Sequence, residues 1–336
     1  MRAPDFWRAR ASLASRALAP FGALYGAVAA ARLAHTGARA PLPTFAIGGL
    51  TAGGDGKTPT ALALAQLLAR YGERPAFLTR GYGRKAGASE PIRVDTRLHA
   101  ARDVGDEPLL LARAAPTFVG ADRMASALRA QSNGATALVL DDGFHSRRLA
   151  PDLALLVVDG AYGAGNGRCL PAGPLRAPLD AQLTQADALV LIGEGDAGAA
   201  IAARTKALGK LVLRATMTTN EDAAARLRGK VIVAFAGLAR PEKFQRSLQA
   251  CGADVVATRW FDDHHLFTQR EVDDLRAEAR RLGATLATTE KDAARLSAEN
   301  LAAIEIVAAT LMFGDPEALQ RLIHATLAKA RAATHL

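Results

Sequence analysis

Ala46-Ile47-Gly48-Gly49-Leu50-Thr51-Ala52-Gly53-Gly54-Asp55-Gly56-Lys57-Thr58-Pro59 is the stretch on which the fold turns. An apolar run of strand length, 44–47, leads into it, and a helix-period run, 60–70, leads out of it. Glycines let backbone N–H groups wrap a polyphosphate, a lysine reaches the outer phosphates, and a hydroxyl serves Mg²⁺. All three parts are present. Thr51 replaces the first glycine of the G-x-x-x-x-G-K-[ST] spacing, so this is a variant in which Gly53 and Gly54 supply the flexibility. The bland alternative is a glycine-rich turn that only links strand to helix, but the order strand, Gly-Gly-x-Gly-Lys-Thr, helix favours a phosphate loop. Thr51, Ala52, Gly53, Gly54, Asp55, Gly56, Lys57 and Thr58 are therefore the expected ATP cradle.

Working outward, Ala137-Leu138-Val139-Leu140-Asp141-Asp142-Gly143 is an apolar strand ending in two carboxylates. In nucleotide-hydrolysing folds such a strand lies beside the phosphate-loop strand, and an acid at its tip holds Mg²⁺ directly or through water. Thr58, Asp141 and Asp142 are the expected metal residues. Further apolar runs at 76–79, 117–119, 154–158, 188–192 and 231–235 alternate with helix-period stretches. Continuous rather than alternating hydrophobicity predicts strands buried on both faces, hence a mainly parallel α/β sheet flanked by helices. A polar, charge-rich stretch at 216–230 precedes a second αβ pattern with runs at 254–257, 285–288 and 304–307. The expected organisation is an N-terminal amphipathic segment at 1–35, a P-loop core at 36–215 and a smaller C-terminal α/β domain at 216–336.

Half of the 336 residues are apolar and 22% are charged, a balance that excludes a mostly disordered chain. The net charge of +9 implies an acidic partner without saying whether it is nucleic acid, anionic lipid or a phosphorylated substrate. Within residues 1–43, Arg2, Arg8, Arg10, Arg16, Arg32 and Arg39 face one acid, Asp5. Leu18, Phe21, Tyr25 and Val28 recur there at helical spacing behind Phe6, Trp7 and Leu13, which predicts an amphipathic helix pair broken near Pro20. Such a pair suits packing on its own domain and insertion into a membrane interface equally well. The uncharged run 17–31 is too short to span a bilayer, and no convincing cleavage site precedes the phosphate loop. Two cysteines, Cys169 and Cys251, support neither a disulfide framework nor a cysteine zinc site and fit a reducing, cytosolic setting.

Eight blocks in order resemble the tetraacyldisaccharide 4'-kinase family, the lipid A kinases of Gram-negative bacteria, over nearly the whole chain. They are Gly53-Gly54-Asp55-Gly56-Lys57-Thr58-Pro59, Thr79-Arg80-Gly81-Tyr82-Gly83-Arg84, Val104-Gly105-Asp106-Glu107-Pro108, Asp122-Arg123, Asp141-Asp142-Gly143-Phe144, Leu170-Pro171-Ala172-Gly173-Pro174-Leu175-Arg176, Phe261-Asp262-Asp263-His264 and Thr289-Glu290-Lys291-Asp292. The resemblance implies ATP-dependent phosphorylation of the 4'-hydroxyl of a tetraacyl disaccharide 1-phosphate lipid, with Mg²⁺. It also implies residence at the cytoplasmic face of the inner membrane, against an anionic surface, as a peripheral or monotopic protein. Read alone, Asp106 is a good helix N-cap; the resemblance makes it the catalytic base, supported by His264, with Lys57 on the phosphates. Arg80, Arg123 and Arg176 become the expected substrate-binding arginines, with Arg84 beside them, because the guanidinium fork suits the phosphate that the lipid already carries. Thr289-Glu290-Lys291-Asp292 reads equally as a nucleotide-base contact and as a capped helix start. Two departures stand out: Gly49 where the family usually has asparagine, and His145-Ser146 where it usually has Gln-His.

Two rival classes are weaker. A nucleotide-dependent switch or metallochaperone shares the Gly-Gly-x-Gly-Lys-Thr core but brings metal-binding clusters and an Asn-Lys-x-Asp signature that this chain lacks. A nucleic-acid-dependent ATPase is suggested by charge alone, and aromatics at 5% offer no stacking platform, so no nucleic acid is expected as partner. No obligate protein partner is inferred.

Overall fold

The computed structural model describes residues 4–8, 12–81 and 90–333. The run at 44–47 becomes the fully buried strand Thr44–Gly49, the centre of a nine-stranded sheet. From one edge to the other the strands are Ala309–Phe313, Leu211–Thr219, Ala188–Ile192, Leu153–Asp159, Thr44–Gly49, Ala137–Leu140, Pro75–Thr79, Thr117–Val119 and Ile92–Arg93. The seven inner strands pair in parallel, and only the two edge strands run antiparallel to their neighbours. A parallel sheet must be covered on both faces. The helix Lys57–Arg70 covers one, turning Ala61, Leu64, Ala65 and Leu68 onto Phe45, Ile47, Phe77 and Val139. The fold is thus P-loop NTPase-like, as the residues predict.

Val231–Ala236, Asp254–Trp260, Thr285–Thr289 and Ile304–Val307 form a second, four-stranded, all-parallel sheet. Alternate residues of its central strand face opposite ways. Ile232, Ala234 and Ala236 meet Phe244 and Leu248 of the helix Glu242–Ala250. Val233 and Phe235 meet Leu275 and Ala279 of the helix Gln269–Arg281.

Besides the two-residue strands, two longer ones escaped the sequence pattern. Leu211–Thr219 runs into the polar stretch read at 216–230, and Ala309–Phe313 pairs with it, so the chain returns from the second sheet to the first. Ala309–Phe313 is the edge strand and Leu211–Thr219 its inner neighbour, and both bury few residues, Leu213 and Ala215 in one and Leu311 in the other. They therefore lack the continuous apolar run that marks the strands nearer the centre. The last helix, Pro316–Ala332, packs Leu319, Ile323 and Leu327 into the core under the phosphate-loop helix. Residues 216–336, expected as one C-terminal unit, thus divide between the two sheets.

At the N-terminus, Leu13–Ala17 and Ala19–Ala34 are separate helices, with Pro20 in the first turn of the second, where its missing N–H costs nothing. Gly22 and Gly26 let this helix lie close to the 169–178 loop: a Cβ on Gly22 would come within 2.8 Å of the Cys169 carbonyl oxygen. The opposite face leaves Phe21, Leu24, Tyr25 and Val28 exposed.

Candidate active site

Strand C-terminal ends from both sheets meet at one cleft, where open parallel sheets place their ligands. On the first lobe, Gly53, Gly54 and Gly56 take φ of 84°, 67° and 94°, a left-handed path that side chains resist. The N–H groups from Gly53 to Thr58 donate to no protein acceptor among the described residues. Lys57 opens the helix, so loop amides and helix N-terminus converge on an anion. Asp55 does not join them. Its carboxylate turns back to accept from Thr51 N–H at 2.7 Å and Thr51 Oγ1 at 2.6 Å. Any Cβ at Gly49 would stand 2.6 Å from Asp55 Oδ2, so a side chain there would displace that carboxylate.

The two acids at the tip of Ala137–Leu140 have different neighbours. Asp141 is buried, with Oδ2 3.5 Å from the Thr58 hydroxyl and Oδ1 without a partner among the described residues. Burial, then Glu107 and Asp142, push its carboxyl up to about 7. A carboxylate oxygen left unpaired beside a hydroxyl is a donor set for a hard divalent cation, so Thr58 and Asp141 fit Mg²⁺. Asp142, at φ 54°, is bound through both oxygens by Arg176 Nη1 at 3.0 Å. Burial raises its carboxyl, but Arg176 and Lys57 outweigh that and bring it to about 2.

Arg176 also donates through Nε to the Thr51 carbonyl at 3.0 Å. Of the three expected substrate arginines it is thus the one that braces the site from within. Arg123 differs. It begins the helix Arg123–Ser132 behind the capping Asp122, is buried, and leaves Nε and Nη1 without partners among the described residues. Burial and the neighbouring Arg80 lower its pKa to about 10, against the pull of Asp141 and Asp142. Arg80 and Arg123 therefore stand together beside the acids, while Tyr82, Gly83 and Arg84 lie outside the described residues.

Across the cleft, the expected pair meets. His264 Nδ1 lies 3.0 Å from Asp106 Oδ2, joining a turn of the second lobe to the start of the helix Asp106–Ala112. His264 holds φ 62°, an uncommon conformation for a side chain of its size. Arg295, which no sequence signal flagged, binds Asp106 through Nε at 2.8 Å and also through Nη2. Its Nη1 reaches Asp292 Oδ1 at 3.0 Å and fixes its own orientation. Burial raises the Asp106 carboxyl, yet His264, Lys291 and Arg295 together hold it far below the ordinary range. Lys291 meets Glu107 at 3.2 Å, and Thr289 caps its helix through Asp292 N–H. The Thr289-Glu290-Lys291-Asp292 run is thus a capped helix start whose Lys291 holds Glu107 and whose Asp292 holds Arg295. Arg240 is the other residue the sequence did not reveal: it crosses from the second lobe to Thr51, Gly53 and Asp55.

Comparison with known proteins agrees with this geometry. The family described as Tetraacyldisaccharide-1-P 4'-kinase matches residues 14–328. The Tetraacyldisaccharide 4'-kinase of Nitrobacter winogradskyi is 50% identical over 336 residues, covering 98% of this chain and 99% of its own. That of Methylobacterium sp. strain 4-46 is 50% identical over 333 residues, covering 99% of each. Among solved structures, LpxK from Aquifex aeolicus in complex with ATP superposes with a TM-score of 0.70 at 26% identity, covering 93% of this chain and 99% of that one.

Proposed function

The chain belongs to the tetraacyldisaccharide-1-phosphate 4'-kinase family, and from that membership and the cleft just described we propose how its residues carry the reaction. The activity is ATP-dependent phosphorylation of the 4'-hydroxyl of a tetraacyl disaccharide 1-phosphate lipid in lipid A biosynthesis. The observation that carries the assignment of roles is the hydrogen bond between Asp106 and His264 across the cleft. Phosphoryl transfer asks a protein chiefly to align the nucleophile with the γ-phosphate and to neutralise charge. The loop amides and Lys57 supply positive potential, and Thr58 and Asp141 would hold a Mg²⁺ that would shield the phosphate oxygens. Asp106 accepts the proton of the 4'-hydroxyl as that oxygen bonds to phosphorus and the bond to the leaving ADP breaks. His264 and Arg295 keep the carboxylate aimed. Arg80 and Arg123 recognise the phosphate already on the substrate. The test is transfer of radiolabelled γ-phosphate from ATP to purified disaccharide 1-phosphate lipid in detergent with Mg²⁺; a lipid that stays unlabelled overturns the reading.

The lipid acceptor also sets where the protein works. No helix among the described residues is long and apolar enough to cross a membrane. The exposed apolar face of Ala19–Ala34, with Arg16 and Arg32 nearby, supports peripheral attachment to the anionic cytoplasmic face of the inner membrane.

A further inference from the structure

Arg240 belongs to the second lobe, yet its side-chain partners belong to the first. It follows the strand Val231–Ala236, and its side chain is only 8% exposed. Nη2 donates to Asp55 Oδ1 at 2.9 Å, to the Gly53 carbonyl at 3.0 Å and to Thr51 Oγ1 at 3.2 Å. Nη1 binds Asp159, and the Tyr162 ring lies 3.9 Å from the guanidinium carbon. Lys243, three residues on, also binds Asp159. Two cations from one lobe thus face two buried carboxylates from the other, and none of the four takes part in the Asp106 pairing.

Two physical consequences follow. Asp55 sits inside the phosphate loop with its carboxylate 1% exposed, so water cannot screen the repulsion between it and a bound polyphosphate. Arg240 supplies the opposite charge. In a trans peptide the C=O and the next N–H point opposite ways, so holding the Gly53 carbonyl on the Arg240 side turns the Gly54 N–H to the other side. Glycines at φ 84° and 67° would not keep that orientation unaided.

We propose that Arg240 is a positioning residue for the nucleotide: from the second lobe it neutralises Asp55 and aims the Gly54 N–H into the phosphate cradle. ATP affinity then depends on the two lobes being apposed. The proposal rests on the nucleotide reading of the loop. If Lys57→Ala left turnover unchanged, that reading would fail, whereas unchanged ATP binding in the Arg240 variants sinks this proposal alone.

The experiment is calorimetric titration of full-length protein with Mg·ATP, alongside KM for ATP and for lipid. Arg240→Gln is expected to weaken ATP binding at least tenfold while KM for lipid stays within twofold. Adding Asp55→Asn to that variant should recover at least threefold, because the acid left unpaired is gone; a merely structural defect would deepen with a second lost contact. Should the glutamine variant not fold, Arg240→Lys carries the test, since it keeps the charge but cannot fork between Gly53 and Asp55. ATP affinity within twofold of the parent in the folded variant, or no recovery in the double variant, overturns the proposal.

Discussion

Adjacent aspartates at one strand tip have separate tasks because their surroundings differ. Asp142 is satisfied by Arg176 and stays ionised, whereas Asp141 keeps an unpaired oxygen beside Thr58. Replacing Lys57 by alanine should cut kcat/KM by roughly 10²–10³ or more, the scale for one lost transition-state charge contact, with the melting temperature unchanged; steady-state kinetics check the first and a thermal melt the second. Asp106 and His264 share one hydrogen bond, so their losses should be non-additive, the double alanine variant scarcely worse than the poorer single one. Additive losses would separate them. His145 gives a pH prediction. Burial, helped by Arg176 and opposed by its Gln182 hydrogen bond, lowers its pKa to about 4 from 6.5. The unfolded chain then binds the proton more readily, so this group makes stability fall as pH drops from 6.5 towards 4, by on the order of 3 kcal/mol at 1.36 kcal/mol per unit. His145→Gln should flatten that part of the urea-unfolding profile. An unchanged slope would show that the imidazole is not held neutral.

At the scale of one element, the helix Ala19–Ala34 packs on the protein along one side and leaves an apolar face exposed along the other. Gly22, Gly26 and Leu33 face the protein, and Phe21 and Leu24 stand 63% and 67% exposed. Each large apolar side chain moved fully from water into an acyl boundary contributes about 1.5–3 kcal/mol, so a handful suffices for reversible attachment. Phe21→Asp with Leu24→Asp should release protein from sedimented anionic vesicles and raise KM for lipid several-fold, with KM for ATP unchanged. Retained pelleting would leave the helix as packing alone.

For the whole molecule, the return of Ala309–Phe313 and Pro316–Ala332 to the first sheet ties the end of the chain to the phosphate-loop helix. Ile323 is fully buried in that core, so Ile323→Ala should cost about 2–5 kcal/mol in urea denaturation. A loss below 1 kcal/mol would mean that the last helix is dispensable to the core. What the residue order determined alone is what short-range pattern encodes: the inner strands, whose double burial demands unbroken apolar runs, and the phosphate loop, whose chemistry is local in the chain. The motif blocks also pointed to Asp106 and His264, although 158 positions separate them. Tertiary structure alone decided which tip acid stays unpaired, that Arg295 holds the Asp106 carboxylate, and that Arg240 crosses the cleft. It also decided that the weakly apolar strands Leu211–Thr219 and Ala309–Phe313 pair. A contact such as Arg240 with Asp55, 185 positions apart, leaves no periodic or spacing signature, because it exists only where packing of the two sheets brings an arginine and a buried carboxylate together.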